Sequence, residues 1–185
     1  MVAFPELDEP LRDDRIALRL GAERDIPEIL IAHQDDPTLY ARLGEERPPS
    51  GAELGREAER AEADRLAGTH LELTIVEVGA DECRGRIAVG HVDDDGAKAE
   101  LRVWVAAQYR RRGYARRALA LVSRWLFDSC GVMRISVLTE TDNEPMQRAA
   151  SAAGFVEEGV LRGYWRGERA RIDAGVLSLL PGDLR

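Results

Sequence analysis

Apolar and polar residues alternate through "RIALRL" (15–20), the period of two that predicts a β-strand. In "ERDIPEILIAHQ" the pattern turns helical, with Asp25 placed to cap a helix and Pro27 in its first turn. Ser50 and Glu53 open "SGAELGREAERAEADRLA" (50–67) as a capping box. That helix has little apolar surface and belongs on the periphery, its charges forming a solvated face. Strand patterns return in "HLELTIVEV" (70–78), "GRIAVGHV" (85–92) and "AELRVWV" (99–105). Asp95-Gly96 between the last two is a hairpin signal, so the three read as an antiparallel meander. After Gly113 the period changes again. Ala118, Leu121, Val122, Trp125 and Leu126 share one face of a helix over 113–128. "MRISVLTE" (133–140) is a strand, and "EPMQRAASAAG" (144–154) is a short helix between Pro145 and Gly154. "FVEEGVLRGYW" and "RARIDAGVLSLL" are two final strands, linked by a turn at Arg166-Gly167-Glu168. No repeat, low-complexity tract or linker interrupts this order, so residues 1–185 form one α/β domain.

Composition narrows the setting. A chain of 185 residues can bury one sizeable core, and 44% apolar with 32% charged residues suits a soluble globular domain. The 34 acidic and 26 basic residues leave a net charge of −8, against the basic balance of a general nucleic-acid binder. Cys83 and Cys130 are too few for a disulfide framework and fit a reducing compartment. The N-terminus "MVAFPELDEPLRDD" is acidic with no apolar run, so no signal peptide is expected. No stretch approaches the roughly 20 apolar residues of a membrane span. A cytoplasmic protein is expected, without nucleic acid or membrane as partner. His33, His70 and His91 are isolated and read as structural, and no His/Cys cluster has metal-ligand spacing. Cys130, ending an apolar helix, reads as a small buried hydrophobe.

Against this acidic background, "QYRRRGYARRAL" (108–119) gathers five arginines around one glycine. A nucleic-acid patch, a solvated helix face and a socket for a small polyanion compete to explain it. The loop joins a strand to a helix, a turn that points free backbone N–H groups outward and adds the helix dipole to them. Gly113 lets the backbone approach a ligand closely, and Ala115 keeps the next position narrow. Cations at a helix N-terminus oppose the dipole unless an anion compensates, which favours a phosphate socket.

Arg110-x-x-Gly113-x-Ala115 resembles the coenzyme A pyrophosphate loop of the GNAT acyltransferase superfamily, read as Gln or Arg, two residues, Gly, one residue, Gly or Ala. The surrounding order of meander, strand–loop–helix, strand, "TDN" and a short helix ending in "GF" is similar too. "TDNEPMQRAASAAGFVEEGVLRG", "AELRVWVAAQYRRRGYARRAL" and "HQDDPTLYARLG" resemble the Rim-type branch, the ribosomal-protein N-acetyltransferase relatives. The likeness spans most of the chain.

The resemblance implies a mixed, mostly antiparallel sheet, splayed between its fourth and fifth strands, with helices on both faces. It implies acetyl-CoA as cosubstrate, its pantetheine arm lying against the backbone of Val103, Trp104 and Val105. The Val105 N–H would polarise the thioester. Arg110, Arg111, Arg112, Gly113, Tyr114 and Ala115 match the pyrophosphate cradle, with Arg116 as a further phosphate contact. Asn143 matches an asparagine beside the pantetheine, although capping the next helix explains it equally well. Where many relatives have a serine acid, this chain has Met146. A thiol of pKa about 8.5 leaves as thiolate without much help, so the departure is not fatal. Glu100, at the head of the fourth strand and on one face with Arg102 and Trp104, is the leading base; an ion pair near Arg102 is its bland alternative. Glu140 and Asp173 are weaker candidates, and Tyr164 is an acid, a pocket wall or simple packing. The implied reaction is direct acetyl transfer to a primary amine, either a protein N-terminus or a small cationic amine steered by the acidic surface. A non-catalytic coenzyme A-binding module is the alternative. Relatives of this branch are often homodimers.

Overall fold

The computed structural model describes residues 3–90, 93, 97–167 and 170–184. Its strands are β1 (Leu11–Arg12), β2 (Ile16–Leu20), β3 (Leu71–Glu77), β4 (Gly85–Gly90), β5 (Lys98–Val105), β6 (Arg134–Glu140), β7 (Val156–Arg166) and β8 (Arg171–Leu179). Its helices are α1 (Ile26–Asp35), α2 (Leu39–Arg42), α3 (Gly51–Ala67), α4 (Tyr114–Cys130) and α5 (Glu144–Ala152). The strands form one sheet in the order β1-β2-β3-β4-β5-β6-β8-β7. Every neighbouring pair is antiparallel except β5–β6, which is parallel. The meander, the central strand–loop–helix and the final hairpin all fall where the hydrophobic periods place them. Two elements were not expected. β1 and α2 are only two and four residues long, too short to show a period. With β1 counted, the fourth and fifth strands of the sequence reading are β5 and β6. His91, the Asp95-Gly96 hairpin and Glu168 of the final turn lie outside the described residues. Gly167 N–H donates to the Ala170 carbonyl at 3.0 Å.

Alternation along β5 sends its side chains to two different cores. Leu101 and Val105 join Ile16, Leu73 and Ile87 of the sheet under Leu119 and Leu126 of α4. Trp104, on the opposite face, packs with Ile29 of α1 and Leu54 of α3 on one side and with Ala32 and Leu39 on the other. Helices therefore cover both faces. Among the described residues no helix is long and apolar enough to cross a membrane.

The sheet parts at the parallel seam. β5 and β6 are paired only from Lys98↔Arg134 to Leu101↔Val137. Beyond that point Arg102–Val105 pair only with β4, and Leu138–Glu140 only with β8. Gly85 stands opposite Val105, and a Cβ there would meet the Trp104 carbonyl oxygen at 2.2 Å. Only glycine lets β4 press so close to the end of β5, on the side away from β6.

The Ser50–Glu53 capping box forms, with Glu53 N–H donating to Ser50 Oγ at 3.3 Å and Ser50 N–H to Glu53 Oε2 at 2.9 Å. Asp25 departs from its expected role. It makes no side-chain cap on α1. Its buried carboxylate accepts instead from Arg19 at 2.6 and 2.9 Å, from the Thr74 hydroxyl at 2.7 Å and from Ala22 N–H at 3.1 Å. Burial opposes the charge, but these donors outweigh it and hold the carboxyl below its ordinary range. The stability it contributes is complete above its unfolded pKa of about 4 and is lost as pH falls through the lower folded value. Asp25→Asn is expected to cost about 2 kcal/mol at pH 7 in urea unfolding, because Arg19 keeps its second partner Asp81. The difference between variant and parent shrinks as the solution is acidified.

Candidate functional site

A cleft of about 780 Å³ opens where β5 and β6 part. β5 and β6 form its floor, the loop before α4 one end, and Asn143 and Met146 of α5 a side wall. Leu39, Arg42, Leu43 and Gly44 approach from α2, and Tyr164 and Trp165 from the end of β7. Val103, Trp104, Val105, Arg110, Arg111, Gly113, Tyr114, Ala115, Arg116, Asn143, Glu100 and Tyr164 all line it. Arg112 does not. Its guanidinium lies 5.6 Å from the Tyr109 ring centroid and donates to the Gln108 carbonyl at 3.4 Å.

The floor presents backbone donors. Ala106 N–H bonds Arg84 across toward β4 at 2.9 Å. Alternation then turns the N–H groups of Val103 and Val105 the other way, into the gap that β6 has left. Trp104 has its carbonyl toward Gly85, so its backbone serves β4, not the gap. Its contribution to the cleft is the indole, which stands 6.1 Å from His33.

The loop supplies a second set of donors. Arg117 N–H makes the first bond of α4, to Gly113. Among the described residues no acceptor pairs with the N–H groups of Arg111 through Arg116. Gly113 has φ +82°, and Arg111, a non-glycine residue, has φ +63°. A left-handed arginine costs about 1–2 kcal/mol, and strain of this kind gathers at binding loops. Together, donors and helix dipole build an anion-binding nest.

The five arginines divide. Arg117 is held by Asp13 and by Asp14 at 2.6 Å, and Arg110 bridges Asp36 at 2.5 Å and the Val105 carbonyl at 3.0 Å. Both are braces, so Arg110 offers the cradle its position more than its charge. Arg111, Arg112 and Arg116 have no carboxylate at ion-pair distance among the described residues. Tyr114 is buried, and its hydroxyl bonds Glu77. Asn143 caps α5, its Oδ1 accepting from Met146 N–H at 3.3 Å. Its Nδ2 has no acceptor among the described residues, so capping and ligand contact can coexist on this one side chain. Glu100 faces the cleft with its side chain 21% exposed, and Arg102 Nε stands 3.8 Å from it, a loose pair. Among the described residues it is the only carboxylate of the lining. Tyr164 is exposed and meets Trp165 edge-on at 6.1 Å.

Other candidates stand apart. Asp173 accepts from Gly163 N–H at 2.6 Å and braces the β7–β8 hairpin. Glu140 is not in the cleft wall; burial and Asp142 push its carboxyl up, against the pull of Arg42. His33 is buried beneath Trp104, and His70 pairs with Glu72 at 3.0 Å. Sequence reasoning missed Leu39, Arg42, Leu43, Arg102 and Trp165 as cleft residues. Arg102 carried a signal, two residues from Glu100 on the same strand face, and Leu39, Arg42 and Leu43 lie within the Rim-like "HQDDPTLYARLG".

The chain's similarity to known proteins follows this geometry. The family model described as "Acetyltransferase (GNAT) domain" matches residues 15–156. "Uncharacterized N-acetyltransferase p20" of Bacillus licheniformis is 25% identical over 175 residues, spanning 93% of this chain and 96% of that protein. RimJ of Mycobacterium smegmatis, solved in complex with CoA-disulfide, superposes with a TM-score of 0.80 at 22% identity, over 95% of this chain and 88% of that one. Spermidine N-acetyltransferase of Vibrio cholerae, solved with CoA and spermine, does so with a TM-score of 0.79 at 17% identity, over 92% of this chain and 98% of that one.

Proposed function

The chain belongs to the GNAT acetyltransferase family, and on that premise we propose that it moves the acetyl group of acetyl-CoA to a primary amine held in the cleft. One observation carries this reading: two sets of unpaired N–H donors, on the open half of β5 and on the loop before α4, face one cavity. The loop set suits a pyrophosphate, with Arg111 and Arg116 at its rim. The β5 set suits an extended arm whose amides pair as a strand would, and the Val105 N–H suits the thioester oxygen.

Transfer is by direct attack. The amine nitrogen bonds to the acetyl carbon, the carbon–sulfur bond breaks, and the sulfur leaves as thiolate. The surplus proton of the amine passes to Glu100, directly or through one water. A cysteine acyl carrier does not fit. Cys83 is buried with its thiol pushed up by burial to about 11, and burial pushes Cys130 up to about 12. Neither lines the cleft.

The test is release of free thiol from acetyl-CoA with a panel of primary amines. Amine-dependent release is expected, and no release with any amine would remove the transferase reading. Met146 is half-buried and packs against the main core, and the thiolate needs no strong acid. Met146→Ser is therefore expected to leave kcat within about threefold of the parent. An inert parent beside an active serine variant would instead mark a domain that binds without catalysing.

A further inference from the structure

We propose that the acceptor bears a carboxylate near its amine and that Arg42 and Arg102 recognise it, an inference that rests on the transferase reading above. The chain's net charge is −8, yet its cleft is lined by six arginines and one carboxylate. Arg110 pairs with Asp36, and Arg148 pairs with Glu144 at 2.8 Å on the exposed side of α5. Arg111 and Arg116 belong to the phosphate loop. Arg42 and Arg102 remain, in the same cleft as Glu100, whose wall also holds Leu43 and Trp165.

The two arginines flank the parting of the sheet. Arg102 rises from β5, and Arg42, on α2, reaches the side of β6, close enough to favour the charged form of Glu140. Arg42 has no carboxylate at ion-pair distance among the described residues. Arg102 pairs loosely with Glu100, Nε at 3.8 Å, its side chain is 45% exposed, and its charge also favours the ionised forms of Glu45 and Glu72 without an ion pair to either.

Such a site works against a polycation. Two guanidinium groups beside the acceptor repel its ammonium, and repulsion is stronger in a cleft than in open water. The same field promotes loss of the ammonium proton, and the neutral amine is the form that attacks. An acidic group on the acceptor recovers the lost binding by pairing with the forks. Overall charge predicts a cationic acceptor; the local lining, which sits nearest the reacting atoms, predicts an acid-bearing one. A free amino acid and the N-terminus of a peptide with an early acidic residue share that chemistry.

The experiment is thiol release with matched amines: glutamate, a peptide starting Ala-Asp, a peptide starting Ala-Lys, ethanolamine and spermidine. At least one acid-bearing amine is expected to exceed ethanolamine and spermidine about tenfold or more in kcat/KM. Glutamate against the Ala-Asp peptide tells the two sources apart. Arg102→Gln and Arg42→Gln should each raise KM for the acid-bearing acceptor and lower its advantage over ethanolamine about tenfold, with Arg102→Lys retaining part of it. Equal or better turnover of spermidine or ethanolamine, or an advantage unmoved in both variants, overturns this inference alone. No thiol with any amine overturns the transferase reading and this inference with it.

Discussion

Valine at position 113 is expected to lower affinity for coenzyme A at least about a hundredfold in calorimetry. The loss of two charge-assisted backbone hydrogen bonds, at about 1.5 kcal/mol or more each, accounts for that factor. At φ +82° a β-branched side chain is strained, and relief of the strain turns the neighbouring N–H groups out of the nest. The fold should survive, because a Cβ at Gly113 meets no atom within 4 Å. The thermal or urea transition is expected to move by no more than about 2 kcal/mol. Unchanged affinity would place the pyrophosphate elsewhere on the molecule.

Glu100→Gln is expected to reduce kcat about a hundredfold at saturating acceptor and to move the pH profile toward alkaline, where more amine is already neutral. The exposed pair with Arg102 contributes under about 1 kcal/mol, so the variant remains folded. If Glu100 only attracted the ammonium group, KM would rise while kcat held. Wild-type turnover at saturation with an unmoved profile would mean that the amine loses its proton in bulk water before binding.

Much of this architecture was legible because hydrophobic period and turn chemistry are local. The change from alternation in "AELRVWV" to a helical stripe after Gly113 located the one loop where strand end, glycine and arginines coincide. The Ser50–Glu53 box likewise needed only four residues of sequence. What escaped depended on distant partners. Asp25 looks like a cap, but Arg19 and Thr74, brought to it by the sheet, compete for its carboxylate and win. The ion pair of Arg110 with Asp36, which follows α1, could not be read from the loop's own sequence. The wall that holds Arg42 and Arg102 was hidden for a related reason. It is assembled from a four-residue helix, one strand face and a hairpin end, and no local period brings these together. Composition is silent there: a net charge describes the whole surface, not how Arg42, Arg102 and Glu100 share one small part of it.

The seam between β5 and β6 has a mechanical meaning. Four residue pairs of β5 and β6 join two unequal half-sheets. A cosubstrate arm lying along Val103 and Val105 would stand in for the missing strand pairs, its amides completing a ladder that the protein leaves unfinished. Occupancy would then stiffen the joint as well as fill it. Stability gained in this way grows with ligand concentration, not with any contact inside the chain. The molecule that would complete this ladder is the cosubstrate, so binding and the cohesion of the sheet would be one event.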